Sequence, residues 1–313
     1  MKELTIGKNE KGQRLDKFLQ KYLKEASKGF LYKMLRKKNI TLNGKKAQGN
    51  EMLEEGDLVK LFLSDETVAK FQGKREAVRY PVTDLDIIYE DEDVVLINKK
   101  AGMLSQKAAP QDVSLVEYFL GYLQEKGEWD PNQSFTPGIC NRLDRNTSGM
   151  VVAGKSLQGL QKMSALIKDR TLEKYYLTIV QGKMTCADTV KGYLVKDEKS
   201  NKVCVLSKEC PGSAYIETRY KPLAQNDRYT LLQVQLITGK THQIRSHLAS
   251  IGHPVAGDVK YGGTPLKGWK WFLLHAEKIV FPHLEGEWER FDGKTFTAPL
   301  PDHFRKMKEQ LFL

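Results

Sequence analysis

NRLDRNTSGMVVAG, residues 141–154, sets one aspartate between two arginines and leads through small polar residues into a short apolar run. An apolar run this short, entered from a turn, reads as a buried strand. A loop at the start of a strand can project Asp144 into a cleft. It can equally hold a carboxylate that only accepts backbone hydrogen bonds, and the stretch alone does not separate the two readings.

Outward from this strand, residues 83–313 carry many short β-type runs with a few helices between them. DLDIIYEDEDVVLINKKAG predicts two strands about an acidic turn, and SLVEYFLGYLQEKG a helix capped by Ser114. LQGLQKMSALIKDR and THQIRSHLASIG also read as helices, while EKYYLTIVQG, AYIETRYKPLAQ, RYTLLQVQLIT and WFLLHAEKIVF read as strands. Strands and helices do not alternate regularly. A doubly wound parallel sheet is therefore disfavoured, and an α+β fold on a mixed sheet is expected.

The first 64 residues differ in texture. In GQRLDKFLQKYLKEA, the residues Leu15, Phe18, Leu19, Tyr22 and Leu23 fall on one helical face. A second helix, with Ser27 as its N-cap, turns Phe30, Leu31, Met34 and Leu35 inward and Lys33, Arg36, Lys37 and Lys38 outward. NITLNGKKA then predicts a hairpin with its turn at Asn43 and Gly44, and EEGDLVKLFL a closing strand. Residues 65–82 mix both charge signs without a clear period and read as a linker.

The 313 residues carry a net charge of +11, 40% hydrophobic and 28% charged residues. This suits a soluble globular chain long enough for two cores. From Lys21 to Lys46 there are nine Lys or Arg against the single acid Glu25. A solvated helical face would interleave acids at i, i+4, so this patch points to a polyanion. No apolar run is long enough to span a bilayer, and the N-terminal residues lack the apolar core of a secretory signal, which predicts a cytoplasmic protein without a membrane partner. Cys140, Cys186, Cys204 and Cys210 are irregularly spaced, and His242 and His247 are five apart, so neither a disulfide framework nor a metal site is expected.

Three further stretches of the second region are unusual for pure structure. In LEKYYLTIVQG, alternation puts Tyr176, Thr178 and Val180 on one face, where a tyrosine is ordinarily a packing residue. LITGKTHQIRSHLASIGHPVAGDVKYGG gathers Lys240, His242, Arg245 and His247 at a helix start, an arrangement that favours phosphate. In LLHAEKIVFPH, His275 reads as a core or capping histidine.

Taken together these stretches resemble the RluA-type pseudouridine synthase family. RLDRNTSG matches its RLDxxTSG signature, EKYYLTIVQG its KxY strand, and TGKTHQIRSHLASIGHPVAGDVKYG its TGRTHQIR segment. RLDKFL, the basic helix, ITLNGKKA and EGDLVKLFL resemble the S4 RNA-binding domain, a small α-L module. The resemblance implies a synthase domain over 83–313 with a mixed, mainly antiparallel sheet, an S4 domain over 1–64, and residues 65–82 between them. It implies isomerisation of uridine to pseudouridine in RNA, most simply 23S-type large-subunit rRNA, by a monomer without cofactor or metal.

Carried over by residue, the resemblance makes Asp144 the catalytic aspartate, with Arg245 pairing with it and holding it ionised. Tyr176 would stack on the target base and is a candidate for proton transfer. Arg142 would fill the gap left by the extruded base. Lys33, Arg36, Lys37, Lys38, Lys45, Lys46, Lys240 and His242 would contact RNA. Two positions depart from the pattern: Asn141 stands where a histidine is usual, and Lys240 where an arginine is usual. Two other functions compete. One is a non-catalytic RNA-binding or ribosome-assembly factor on a degenerate synthase domain. The other is a glycoside hydrolase, which normally needs a second carboxylate.

Overall fold

The computed structural model describes residues 1–7, 9–73, 78–197 and 202–312. The first module contains β1 (Lys2–Thr5), α1 (Leu15–Tyr22), α2 (Lys28–Arg36), β2 (Ile40–Leu42), β3 (Lys45–Lys46), β4 (Leu58–Leu61) and α3 (Asp65–Gln72). Its four strands pair antiparallel in the order β1-β4-β2-β3. Leu15, Phe18 and Leu19 of α1 and Leu31, Met34 and Leu35 of α2 meet in one buried cluster with Ile40, Val59 and Leu61. The predicted faces are the observed ones.

Ser27 caps α2 by accepting from the Phe30 amide at 3.2 Å, a contact worth about 1 kcal/mol. Asn43 and Gly44 both have positive φ, 50° and 74°, as a two-residue hairpin turn that follows strand twist requires. The basic side chains are exposed as expected. Lys37 and Lys38 are not on the helix, however: α2 ends at Arg36, Lys37 caps it, and Lys38 turns the chain at φ 60°.

The stretch expected to be a linker begins with α3. Ser64 caps this helix, Val68 is buried in the first module's core, and the Phe71 ring lies 4.5 Å from that of Phe30. The mixed charges around two well-spaced apolar residues hid its period. Residues 74–77 of that stretch lie outside the described residues.

The second region contains β5 (Ile87–Glu90), β6 (Val94–Lys99), α4 (Leu115–Glu125), β7 (Gly138–Ile139), β8 (Ser148–Gly154), α5 (Leu157–Lys168), β9 (Glu173–Gln181) and β10 (Asp188–Asp197). It continues with β11 (Lys202–Leu206), β12 (Ala214–Gln225), β13 (Tyr229–Leu236), α6 (Gln243–Ser250), β14 (Leu274–Val280), β15 (Thr295–Thr297) and α7 (Asp302–Phe312). One sheet runs β11-β10-β12-β13-β9-β14-β8-β6-β5, with β15 on β14 and β7 on β8. Among the described residues only the β14–β8 strand pair is parallel, so this is the mixed, mainly antiparallel α+β architecture expected.

Strand β9 lies between β13 and β14 and has two different faces. Tyr176 and Val180 join a large core with Ile244 and Leu248 of α6. Leu177 and Ile179 join a smaller one with Phe304 and Met307 of α7. Each such buried side chain contributes roughly 1.5–3 kcal/mol. Strand β8 is entirely buried, as its apolar run predicted. Its Gly149, at φ 111°, passes so close to β14 that a Cβ there would lie 2.2 Å from the Ala276 carbonyl oxygen, which excludes any side chain. No helix among the described residues is long and apolar enough to cross a membrane.

Candidate active site

The loop before β8 is braced from three sides. Asn141 uses its side-chain amide on β8 itself, accepting from the Val152 amide at 2.8 Å and donating to the Met150 carbonyl at 3.3 Å. The Leu143 amide donates to Ser105 Oγ at 3.0 Å, and that hydroxyl donates back to the Leu143 carbonyl at 2.8 Å. The Arg145 carbonyl accepts from the Gly102 amide and from Lys99 Nζ. Asn141, one of the two departures from the family pattern, is thus a backbone brace.

Lys99 was not singled out from sequence. It is 1% exposed, and its Nζ also donates to the carbonyls of Lys100 and Met103, at 3.0 and 2.8 Å. Burial pulls its pKa down to about 7, against the opposing pull of the Asp144 charge. A lysine closing a mainly apolar strand was the available signal.

Held this way, Asp144 faces Arg245 from the first turn of α6. Arg245 Nη1 donates to Asp144 Oδ2 at 2.8 Å. Its Nε and Nη2 donate to the two oxygens of Asp258, at 2.6 and 2.9 Å. Arg245 also lies over the rings of Phe272 and Tyr261, at 4.1 and 5.0 Å. Burial works against the guanidinium, but Asp258 and then Asp144 outweigh it and raise its pKa. Asp258 is 2% exposed and was another residue missed; its GD dipeptide lay inside the matched segment without a role attached.

His242 begins α6 in the left-handed region, at φ 55°. Its Nδ1 is 2.9 Å from the Tyr261 hydroxyl and its Nε2 is 3.9 Å from Asp144 Oδ2. The tautomer that suits both neighbours accepts from Tyr261 at Nδ1 and keeps a proton on Nε2, toward the carboxylate. Burial lowers the pKa of this imidazole, against the pull of Asp144. His247, expected beside it, instead turns into the core: it is fully buried and pairs through Nδ1 with Thr218 Oγ1 at 2.9 Å. Five residues on from His242, it falls on another face of the helix. His275 is likewise a core histidine, between Ser148 Oγ at 2.9 Å and the Ala298 carbonyl at 3.2 Å.

These residues surround a cleft of about 670 Å³. Asp144, Tyr176, Arg245, Arg142, Lys240 and His242 all line it, so the structure gathers six of the sequence-predicted site residues. Lys33, Arg36, Lys37, Lys38, Lys45 and Lys46 do not; they form an exposed set on the first module. Arg142 is exposed at the cleft and, among the described residues, donates only a long 3.4 Å contact to Gln106. The buried Tyr176 has no hydrogen bond from its hydroxyl among the described residues, and burial, followed by the Asp144 charge, raises its pKa.

Among the described residues that line the cleft, Asp144 is the only carboxylate amid many cations. Asp258 is spent on Arg245 and does not reach the cleft wall, so the two-carboxylate arrangement of a glycosidase is absent from the described lining. No group of three or more His, Cys, Asp or Glu is placed to hold a metal ion among the described residues. All four cysteines are free.

Residues 93–250 match the family model described as RNA pseudouridylate synthase, and residues 13–59 match that of the S4 domain. The chain is 33% identical to ribosomal large subunit pseudouridine synthase C of Vibrio parahaemolyticus, over 97% of this chain and 94% of that protein. It is 28% identical to the uncharacterized RNA pseudouridine synthase YlyB of Bacillus subtilis, over 99% of this chain and 97% of that one. Its fold is similar to human RNA pseudouridylate synthase domain containing 4, with a TM-score of 0.58 and 21% identity over 72% of this chain and 92% of the other. With Asp144 and Arg245 joined inside the matched region, the chain belongs to the RNA pseudouridylate synthase family and carries an S4 domain ahead of the synthase domain.

Proposed function

We propose that this protein converts uridine to pseudouridine in large-subunit ribosomal RNA of the 23S type, with Asp144 as the catalytic residue. The carrying observation is that Asp144 is the only lining carboxylate among the described residues and is fixed by an arginine that is itself fixed by Asp258. The reaction breaks the C1′–N1 bond, turns the uracil, and forms C1′–C5, with the C5 proton lost and a proton gained at N1. There is no net redox change or hydrolysis, so a positioned anion and a closed site are sufficient in kind, without cofactor or metal.

Arg245 orients Asp144 and keeps it charged. Tyr176, on the adjoining wall, offers a ring on which the extruded base stacks. Extrusion costs roughly a few kcal/mol, which insertion of the exposed Arg142 into the vacated stack offsets. Lys240 and His242 contact RNA at the cleft. Lys33, Arg36, Lys37, Lys38, Lys45 and Lys46 bind phosphates on structured RNA without reading bases. In this reading residues 1–64, with α3 packed onto them, dock RNA; the rest of 65–82 connects; and 83–313 catalyse, in a monomer in the cytoplasm.

The test is mass-spectrometric mapping of pseudouridine in rRNA and tRNA from a strain lacking the protein. A large-subunit site should disappear, return with the wild-type gene and stay absent with Asp144→Ala. Restoration by Asp144→Ala would overturn the catalytic assignment, and loss confined to tRNA would overturn the substrate.

A further inference from the structure

Buried cations in this protein come with partners. Lys99 has three carbonyls, Arg245 has two carboxylates, and Lys155 has Glu90 and Glu128. Lys174 does not follow that rule. It lies on β9 two residues before Tyr176, on the same face, and lines the cleft. Its Nζ rests against the chain where the TGKTHQ segment begins: a methyl group at Gly239 would lie 3.6 Å from it. Lys174 is half-buried, and among the described residues no carboxylate or carbonyl pairs with that ammonium group.

The charge that bears on it is a second cation, Arg170. Arg170 lines the same cleft and follows α5 with φ 63°, in the left-handed conformation that a helix end ordinarily gives to glycine. An arginine kept in that backbone conformation points to a use for its side chain. Burial lowers the pKa of Lys174, and the Arg170 charge lowers it further, with no anion opposing them. The adjacent acid, Asp169, is exposed and is not among the lining residues. Two cations that line one cleft, with no counter-ion for either among the described residues, form a site that an anion completes.

We propose that Lys174 and Arg170 form a phosphate site in the cleft wall that takes the RNA phosphodiester flanking the target uridine. This rests on the synthase reading above and adds a backbone contact beside the base-stacking face. By holding that phosphate, the pair sets how deeply the extruded nucleotide enters, because Lys174 and Tyr176 are fixed on one strand.

The test uses the full-length protein and a large-subunit rRNA transcript labelled with [5-³H]uridine, since tritium leaves C5 when C1′–C5 forms. Lys174→Gln should raise KM about tenfold, the size of one charge-assisted contact, while kcat changes less than about threefold. The slope of log Kd against log salt should become shallower by about 0.7–0.9, one phosphate contact. Arg170→Gly, which suits the backbone at that position, should produce the same slope change without lowering Tm. Lys174→Arg should restore KM and slope. Wild-type KM and slope in both Lys174→Gln and Arg170→Gly would overturn the site, as would a loss confined to kcat. Filter binding of the same transcript keeps the two readings apart. A wild-type protein that releases no tritium would defeat the synthase reading, while the Kd comparison would still decide the phosphate site.

Discussion

Asp258 grips Arg245 with two hydrogen bonds, of 2.6 and 2.9 Å, and leaves Nη1 to Asp144 at 2.8 Å. The guanidinium is thus a rigid spacer between a buried carboxylate and one that reaches the cleft. A planar group held at two of its nitrogens cannot swing, and the direction of Nη1 is set before substrate arrives. Asp258→Asn replaces one acceptor by a donor facing the arginine. It should lower kcat about a hundredfold, the scale expected from misplacing a catalytic group, with a smaller change in RNA Kd. Single-turnover rates with filter binding check this. A variant with wild-type kcat would mean that Asp144 and the helix hold Arg245 without help.

Burial first, and then the Asp144 charge, raise the pKa of the Tyr176 phenol and favour its protonated form. It can therefore donate a proton or hydrogen bond but does not start as an anion. Tyr176→Phe preserves the ring and removes only the hydroxyl. KM should stay within about threefold while kcat falls about a hundredfold, the low end for general acid–base groups. Turnover equal to wild type would reduce Tyr176 to a stacking platform.

The exposed cations at α2 should act on affinity alone. Replacing Lys33, Arg36, Lys37 and Lys38 with alanine should flatten the slope of log Kd against log salt by about 0.7–0.9 for each phosphate that is no longer neutralised. Single-turnover kcat at saturating RNA should not change, since none of the four lines the cleft. An unaltered slope would place the RNA elsewhere on the protein.

Two core histidines make stability depend on acid. Burial is the first cause for both His247 and His275, and each is pulled from an ordinary 6.5 down to about 4. The unfolded chain then binds more protons than the folded one between those values. Their contribution is complete above about pH 6.5 and is lost as pH falls toward 4, by on the order of 3 kcal/mol each. Urea midpoints should fall steeply over that window. His275→Asn, which can still reach Ser148 Oγ with an amide, should make the fall shallower, and an unchanged profile would exclude His275 as a source.

Periodicity made much of this fold legible. The apolar faces of α1 and α2, the Ser27 cap, the Asn43–Gly44 turn and the alternation of β9 follow from local spacing, which local geometry enforces. Helix α3 was missed because Val68 and Phe71 are sparse among mixed charges, and α7 was not read although Phe304, Met307 and Leu311 have helical spacing. The site divides in the same way. Asp144 and Arg245, far apart in sequence, were paired through resemblance, since no local rule joins a loop to a distant helix. Asp258 and Lys99 have their significance from burial and partners, and Lys174, the lysine of the KxY strand, from a missing counter-ion, none of which local spacing shows. Asn141 drew attention as a departure and turned out to hold β8 by its backbone.

Strand β9 also gives the cleft a back wall. Tyr176 lines the cleft on one side, while Leu177 and Ile179 lean on Phe304 and Met307 from the other. Helix α7 does not line the cleft, yet its Phe304 and Met307 buttress the strand that carries Tyr176 from the opposite face. Trimming α7, or crowding it with a fused partner, would blunt turnover from the reverse side of the sheet, with every lining residue still in the chain.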